Sequence, residues 1–410
     1  MSILQDVDVI VKNAIRAASP DEAVKRAIKR LSNQNGKTVL VAVGKAAWQM
    51  AATAYEALGN RVSEGIVVTK HGYAQGPIGP LAIVEAGHPV PDENSYAAAD
   101  QAIELVEPLN EQDLVLFLVS GGGSALFEKT LISEEENKEI TRQLLACGAN
   151  IAEINTLRKR LSAVKGGKFA KICAPAKIFS IVLSDVVGDS LDMIASGPAY
   201  PDASTCEQAL AIVKKYNLTL SQKALELLRV ETPKVLEGVE THITGSVREL
   251  CVSAERTCRE LGYESLILTD RLCCEAKEAG GFLASIARFH AESSRSLAFI
   301  AGGETIVRLT GNGLGGRNQE IALSAALGIS GVRDCAVFSV GSDGTDGPTD
   351  AAGAVCTGES AKKLEKLGVD ICQTLRDNDS YNALKKIGAL IFTGPTGTNV
   401  NDLSCVLIKR

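Results

Sequence analysis

The spacing of apolar and polar residues alternates short, continuous apolar runs with stretches of helical period. Runs at Thr38–Val43, Gly65–Thr69, Leu81–Glu85, Leu114–Val119 and Ile178–Leu183 lack the every-second-residue polarity of a half-exposed strand. They predict strands covered on both faces, as in a parallel sheet flanked by helices. Between them, Ser133 followed by Glu136 has the spacing of a capping box and predicts a helix through Cys147, and Asn155–Lys171 mixes basic and apolar residues at helical spacing. A second series follows Glu231-Thr232-Pro233, with a helix near Val247–Leu261 and strands at Ser265–Leu268, Leu297–Ala301, Ile306–Thr310, Ala336–Val340 and Ala389–Phe392. The chain length of 410 residues exceeds what one core usually fills. The expectation is an α/β protein of two Rossmann-like α/β/α domains, residues 1–235 and 236–410, with mainly parallel sheets facing an interdomain cleft.

Composition narrows the partners. A formal net charge of -6 with 22% charged residues gives no basic excess for a nucleic-acid groove or an anionic membrane surface. The N-terminal stretch is amphipathic (Ile10, Val11, Ala14, Ile15, Ala18) rather than signal-like, and no apolar run approaches a membrane span. Eleven cysteines are scattered without a Cys-x-x-Cys pair, apart from the vicinal Cys273-Cys274. Buried reduced thiols in a cytoplasmic protein are expected.

Candidate chemistry sits in the polar, glycine-bearing loops that follow the apolar runs. These are Gly44-Lys45, Ser120-Gly121-Gly122-Gly123-Ser124, Ser184–Asp189, Gly302-Gly303-Glu304 with the Gly311–Arg317 turn, and Ser342–Asp350. Loops at the carboxyl ends of strands are where open α/β sheets bind ligands. Together they supply glycine amides, Lys45, Arg317 and several carboxylates, the parts needed to hold a polyanion with a divalent cation, which reads as phosphoryl transfer. Lys45 interrupts an apolar stretch at a strand-to-helix turn, where amides and the helix dipole favour anions. Arg317 has the fork geometry for carboxylate or phosphate, with a structural ion pair as the alternative. For Asp185, Asp189, Asp343 and Asp346, turn capping and metal contact are both open. His88 is read as either a substrate contact or a packed loop residue.

Three motif tests bound this reading. Gly36-Lys37-Thr38 has Leu31 where a phosphate loop needs glycine, and Gly122-Gly123-Ser124-Ala125-Leu126 lacks the last glycine of a hydrolase elbow. Gly311-Asn312-Gly313-Leu314-Gly315-Gly316 does satisfy Gly-x-Gly-x-x-Gly ahead of a helix. An NAD(P)H-dependent hydroxypyruvate reductase is therefore the rival reading.

Motifs in order along nearly the whole chain resemble those of the class II glycerate kinases, the glycerate 2-kinases with a C-terminal MOFRL domain. They are Gly87-His88-Pro89-Val90-Pro91-Asp92, Ser120–Leu126, Asn155-Thr156-Leu157-Arg158-Lys159, Ser184–Asp189, Gly302-Gly303-Glu304-Thr305, Gly315-Gly316-Arg317-Asn318-Gln319-Glu320, Gly344–Asp350 and Thr393–Asn399. The resemblance implies ATP-dependent phosphorylation of the 2-hydroxyl of D-glycerate, giving 2-phosphoglycerate, with Mg2+ or another divalent cation. It places the family's essential lysine and arginine on Lys45 and Arg317. A phosphoryl-transfer mechanism on these loops would use Asp185 or Asp189 as base, with nucleotide contacts at Ser120, Gly121, Gly122, Gly123, Ser124, Gly302, Gly303 and Asn318. Substrate contacts fall at His88, Asn155 and Arg158, and metal contacts at Asp189, Glu304 and Asp343. D-glycerate and ATP are the expected partners, and a homo-oligomer is left open. Ile306 and Asn382-Ala383-Leu384 depart from the expected pattern.

Overall fold

The computed structural model describes residues 2–32, 35–184, 186, 188 and 190–410. Asp185 and Asp189 lie outside the described residues. The chain forms two compact units, one holding Ala23–Ser184 and residues 190–244, the other holding Gly245–Arg410 together with the N-terminal stretch that ends at Glu22 and with Val186 and Gly188.

The first unit is built on a six-stranded sheet of β1 (Thr38–Val43), β2 (Val62–Lys70), β3 (Leu81–Ala86), β4 (Leu114–Val119), β5 (Lys177–Leu183) and β6 (Val239–Gly245), ordered β3-β2-β1-β4-β5-β6. The pairings from β3 through β5 are parallel. Thr38-Val-Leu-Val-Ala-Val43 and Leu114-Val-Leu-Phe-Leu-Val119 are buried at every position because β1 and β4 are central and covered on both faces. Below them Phe117, Phe127 and Phe169 cluster with ring centroids 5.1–6.4 Å apart.

The second unit carries β7 (Glu264–Leu272), β8 (Leu297–Gly303), β9 (Cys335–Gly341), β10 (Gly353–Thr357), β11 (Leu390–Ile391) and β12 (Asp402–Ile408), ordered β11-β10-β9-β12-β8-β7. The α/β class agrees with the sequence, but this sheet is more mixed than its mainly parallel expectation. β12 runs antiparallel between β8 and β9, and β10 is antiparallel to β9 and β11.

Five local readings change. The expected cut at 235 gives way to one near 244, because β6 completes the first sheet. Residues before Glu22 belong with the second unit, because the helix Ile3–Ala17 buries Val7, Ile10, Val11 and Ala14 there. Asn13 Nδ2 donates to Thr257 Oγ1 at 3.4 Å, and Ser253 Oγ donates to the Asn13 carbonyl at 3.2 Å. The predicted helix Asn155–Lys171 is two helices, Ile151–Leu161 and Lys168–Cys173, separated where Gly166 and Gly167 take φ of 60° and 82°. Ile306–Thr310 is not a strand, since Ile306 makes an isolated bridge to Glu275 while Ile306 and Leu309 face outward. Of the eleven cysteines, all are free, but Cys147, Cys273 and Cys372 are exposed rather than buried.

Asp6 anchors the N-terminal helix from inside the second unit. It is buried, and its Oδ2 accepts from Tyr263 Oη at 2.5 Å and Lys409 Nζ at 2.6 Å. Among the described residues its Oδ1 has no hydrogen-bond partner, so the remaining bonds matter more. Tyr263→Phe is expected to lower stability by about 1–3 kcal/mol in urea unfolding; an unchanged midpoint would show that Lys409 alone suffices.

Candidate functional site

In the first unit, β1 and β4 end side by side and their following loops interlock. Gly44 has φ of 122°, and a Cβ there would lie 2.2 Å from Ser120 Oγ, so the close approach demands glycine. The Lys45 amide donates to the Gly121 carbonyl at 2.9 Å, the Ala46 amide to Ser120 Oγ at 3.1 Å, and the Ala47 amide to the Gly44 carbonyl at 3.1 Å. The Lys45, Ala46 and Ala47 amides, at the turn into the helix Ala47–Leu58, are thus spent inside the protein and do not wait for an anion. What this turn presents is the Lys45 side chain, whose Nζ has no hydrogen bond or ion pair among the described residues. The Gly121 and Gly122 amides likewise make no hydrogen bond among the described residues.

Gly122 joins the parts. Its φ is 88°, and a Cβ there would fall 3.1 Å from the His88 ring and 3.2 Å from Lys45 Cγ. A bare stretch of backbone therefore lies between a lysine and a histidine. Burial first, then the charges of Lys45 and Lys70, hold the His88 pKa below its ordinary value. At neutral pH it is an uncharged imidazole, able to donate at one nitrogen and accept at the other.

The helix Ile151–Leu161 presents three successive cations with different fates. Lys159 Nζ lies 3.1 Å from both Asp192 and Asp202, and Arg160 meets Asp202 at 3.6 Å and Glu231 at 3.2 Å. Arg158 is partly buried and, among the described residues, has no hydrogen bond or ion pair. Asn155, three residues earlier on the same face, is buried, accepts from Ser196 Oγ at 3.2 Å and points its Nδ2 at Met193 Sδ at 3.6 Å.

In the second unit Arg317 opens the helix Arg317–Gly328. Its Nε and Nη2 grip the two oxygens of Asp402 at 2.6 and 3.0 Å, and its Nη1 lies 3.3 Å from Glu304. The structural ion pair, one of the two readings of Arg317, is therefore present. The other Glu304 oxygen accepts from Asn401 Nδ2 at 3.1 Å, and Asp343 Oδ1 accepts from the Thr345 amide at 3.0 Å. Among the described residues no three His, Cys, Asp or Glu side chains gather as a metal cage. Both Glu304 oxygens are engaged within the protein, whereas Asp343 has one oxygen engaged, so metal contact at Asp343 stays open.

The Gly-x-Gly-x-x-Gly stretch has an internal explanation. The Gly313 amide donates to the Asp377 carbonyl at 2.8 Å, the Thr310 and Gly311 amides donate to Asn378 Oδ1 at 2.7 and 2.9 Å, and Leu314 donates to Asp379 Oδ1 at 3.0 Å. A Cβ on Gly311 or Gly313 would strike Asp377. At the helix start, Asp346 accepts from the Asn318 and Gln319 amides at 3.1 and 2.8 Å, in the position a pyrophosphate would take. Asn318 is buried, with its Nδ2 donating to Asp346 at 3.2 Å and its Oδ1 accepting from Ser339 at 2.5 Å, so both ends of its amide are engaged. Gly302 and Gly303 are required by packing, since Cβ atoms there would lie 2.5 Å from Cys251 Sγ and 2.2 Å from the Leu272 carbonyl.

Asp402, Asn401 and Ser196 were not singled out from the sequence. The signal for Asp402 was present: a charged residue at the mouth of the apolar run Leu403–Ile408.

Residues 6–229 match a domain of unknown function (DUF4147) and residues 297–402 match the MOFRL family. The chain belongs to the glycerate kinase family with a C-terminal MOFRL domain. A Thermotoga maritima protein named D-glycerate 2-kinase is 53% identical over 405 residues, spanning 97% of each chain. A crystal structure of glycerate kinase from the same organism superposes with a TM-score of 0.95 at 52% identity, covering 98% of this chain and 99% of that one. An Agrobacterium vitis protein named putative hydroxypyruvate reductase is 39% identical, over 96% of this chain and 92% of that one. The chain is thus an enzyme of a kinase family.

Burial pushes the Asp346 carboxyl up to about 6, against the amide donors that favour its charged form. Because the folded value stands above the unfolded one of about 3.9, this group's contribution to stability falls as pH rises through that window. The amide resonances of Asn318 and Gln319 should shift with a midpoint near pH 6; a midpoint near the ordinary carboxylate value would show that the amide donors outweigh burial.

Proposed function

We propose that this protein transfers the γ-phosphoryl group of ATP to the 2-hydroxyl of D-glycerate, giving 2-phosphoglycerate and ADP. The observation that carries the reading is the Gly122 backbone lying between Lys45 and His88, with the Gly121 and Gly122 amides uncommitted among the described residues. Phosphoryl transfer asks for alignment and neutralisation of spreading charge, and a lone lysine beside open amides supplies both. Lys45 would meet the transferring phosphoryl, and the amides its oxygens. His88 would contact the substrate through a neutral nitrogen, so it need not compete with Lys45 for negative charge.

Arg158 is the counterpart for the glycerate carboxylate. A partly buried guanidinium with no acidic partner among the described residues is matched by a planar anion, and Asn155 stands on its face of the helix. Arg317 would reach a ligand only by giving up part of the pairing of its fork with Asp402 and Glu304. Asp185 or Asp189 would accept the hydroxyl proton. A divalent cation would come with the nucleotide phosphates rather than rest in a protein cage, in the manner usual for Mg2+. The reductase reading needs a free glycine turn at Gly311–Gly316, and that turn is filled by Asp377–Asp379 and Asp346. No helix among the described residues is long and apolar enough to cross a membrane. Free cysteines throughout support a reducing, cytoplasmic setting.

Incubation with ATP, magnesium and D-glycerate should give a product that enolase consumes directly. A product needing phosphoglycerate mutase first would mean that the 3-hydroxyl is used, and oxidation of NAD(P)H with hydroxypyruvate would favour the rival. Lys45→Ala should stay folded and lose roughly a hundredfold or more in kcat, as removal of a preorganised charge does; turnover near wild type would remove Lys45 from the chemistry.

A further inference from the structure

We propose that Ser196 is a positioning residue that holds the Ser120–Ser124 loop in its phosphate-binding shape. The role deepens the kinase reading and rests on it for its catalytic consequence. Ser196 is fully buried at the end of a single turn in which Ala195, Ser196 and Gly197 have φ of 51°, 59° and 63°. Two successive non-glycine residues in the left-handed region are unfavourable, and such geometry persists where surrounding contacts impose it. Here the contacts are visible. The Ser196 and Gly197 carbonyls accept from the Gly166 and Gly167 amides at 3.0 and 2.7 Å, and Lys159 holds Asp192 upstream.

The turn is wired to the loop in two ways. A Cβ on Gly123 would fall 2.7 Å from the Ala195 Cβ, so the two backbones interlock without room for a side chain. Ser196 Oγ also lies 2.9 Å from Ser124 Oγ and donates to Asn155 Oδ1 at 3.2 Å. A hydroxyl has one proton to give. With the Ser196 proton committed to Asn155, the Ser124–Ser196 bond is formed by the Ser124 proton. The chain Ser124 to Ser196 to Asn155 therefore runs inward, and Ser124 faces a ligand with lone pairs rather than a proton. Its hydroxyl is an anchor for the loop, while phosphate donors are left to the Gly121 and Gly122 amides.

The test uses Ser196→Gly and Ser196→Ala in the full chain, each compared with wild type by amide exchange of residues 120–126 and by steady-state kinetics with ATP and D-glycerate. Glycine removes the left-handed penalty along with the hydroxyl, so it folds even if the alanine variant does not. Both variants should exchange faster across the loop and lose roughly tenfold to a hundredfold in kcat, as small misplacements of a reacting geometry do. Ser124→Ala combined with Ser196→Gly should be no worse than either alone. Wild-type exchange and kcat in Ser196→Gly would overturn the inference, as would additive losses in the double variant. If the wild-type protein fails to phosphorylate D-glycerate, the kinase reading falls, and loop exchange still decides the role of Ser196.

Discussion

The parallel register of β1 and β4, with Val43 opposite Val119, delivers Gly44 and Ser120 to the same level. Everything at the first unit's site depends on what happens there. The Ser120 amide is held by the Val43 carbonyl at 2.9 Å, its hydroxyl receives the Ala46 amide, and Gly121 receives the Lys45 amide. Only a residue without Cβ fits at position 44, so the two loops are locked at a separation that a single methyl group would destroy. This lock spends polar groups that an anion site could have used, and in return fixes the direction of Lys45 and the bare surface of Gly122. A charge whose backbone cannot relax is worth more to a transition state than one on a mobile loop, because no reorganisation is needed when charge moves.

The second unit shows the opposite disposition of similar parts. Arg317, Asp402, Glu304 and Asn401 are bonded to one another, as are Asp346, Asn318 and Ser339. Asp402 lies at the buried end of β12, and leaving either partner alone there would strand a desolvated charge. The glycine turn at Gly311–Gly316 is likewise shaped by its own chain. Glycine spacing records only that something comes close to the backbone; here the visitor is the Asp377–Asp379 segment, not a dinucleotide.

How far such things could be read in advance follows from whether they are local. β1 and β4 were read at their true bounds because burial on both faces leaves a continuous apolar run. Ser133 was read as a cap and does accept the Glu136 amide at 3.2 Å, but Glu136 turns away to the Ser221 amide, a partner 85 residues on. The break between Leu161 and Lys168 depends on Lys129 and Thr130 pairing with the connecting segment, which no local period reveals. The antiparallel insertion of β12 between β8 and β9 is a matter of topology, and with it the location of Asp402 beside Arg317. Lys45 and Arg317 were visible as chemistry; that Arg317 is already paired is decided by Asp402, 85 positions away.

The three cations at Arg158, Lys159 and Arg160 show why that distinction carries function. Successive residues on a helix point about 100° apart, so three neighbours cannot share one acidic partner. Lys159 and Arg160 both reach Asp202, a carboxylate whose pKa is held down by Thr232, Lys159 and Ser204 despite its burial. Lys165, fully buried, has Glu128 as its carboxylate, and that same carboxylate supplies the field that opposes desolvation of Arg158. One Glu128 oxygen is thus committed to Lys165 while the other has no hydrogen-bond partner among the described residues, and Arg158, without a bond to either, keeps a charge that burial penalises. A protein selected for stability alone would lose little by replacing such an arginine with a neutral side chain of similar length. On the proposed reading the compensating anion is a ligand rather than a residue, and the carboxylate of glycerate has the planar, two-oxygen shape that a guanidinium binds best.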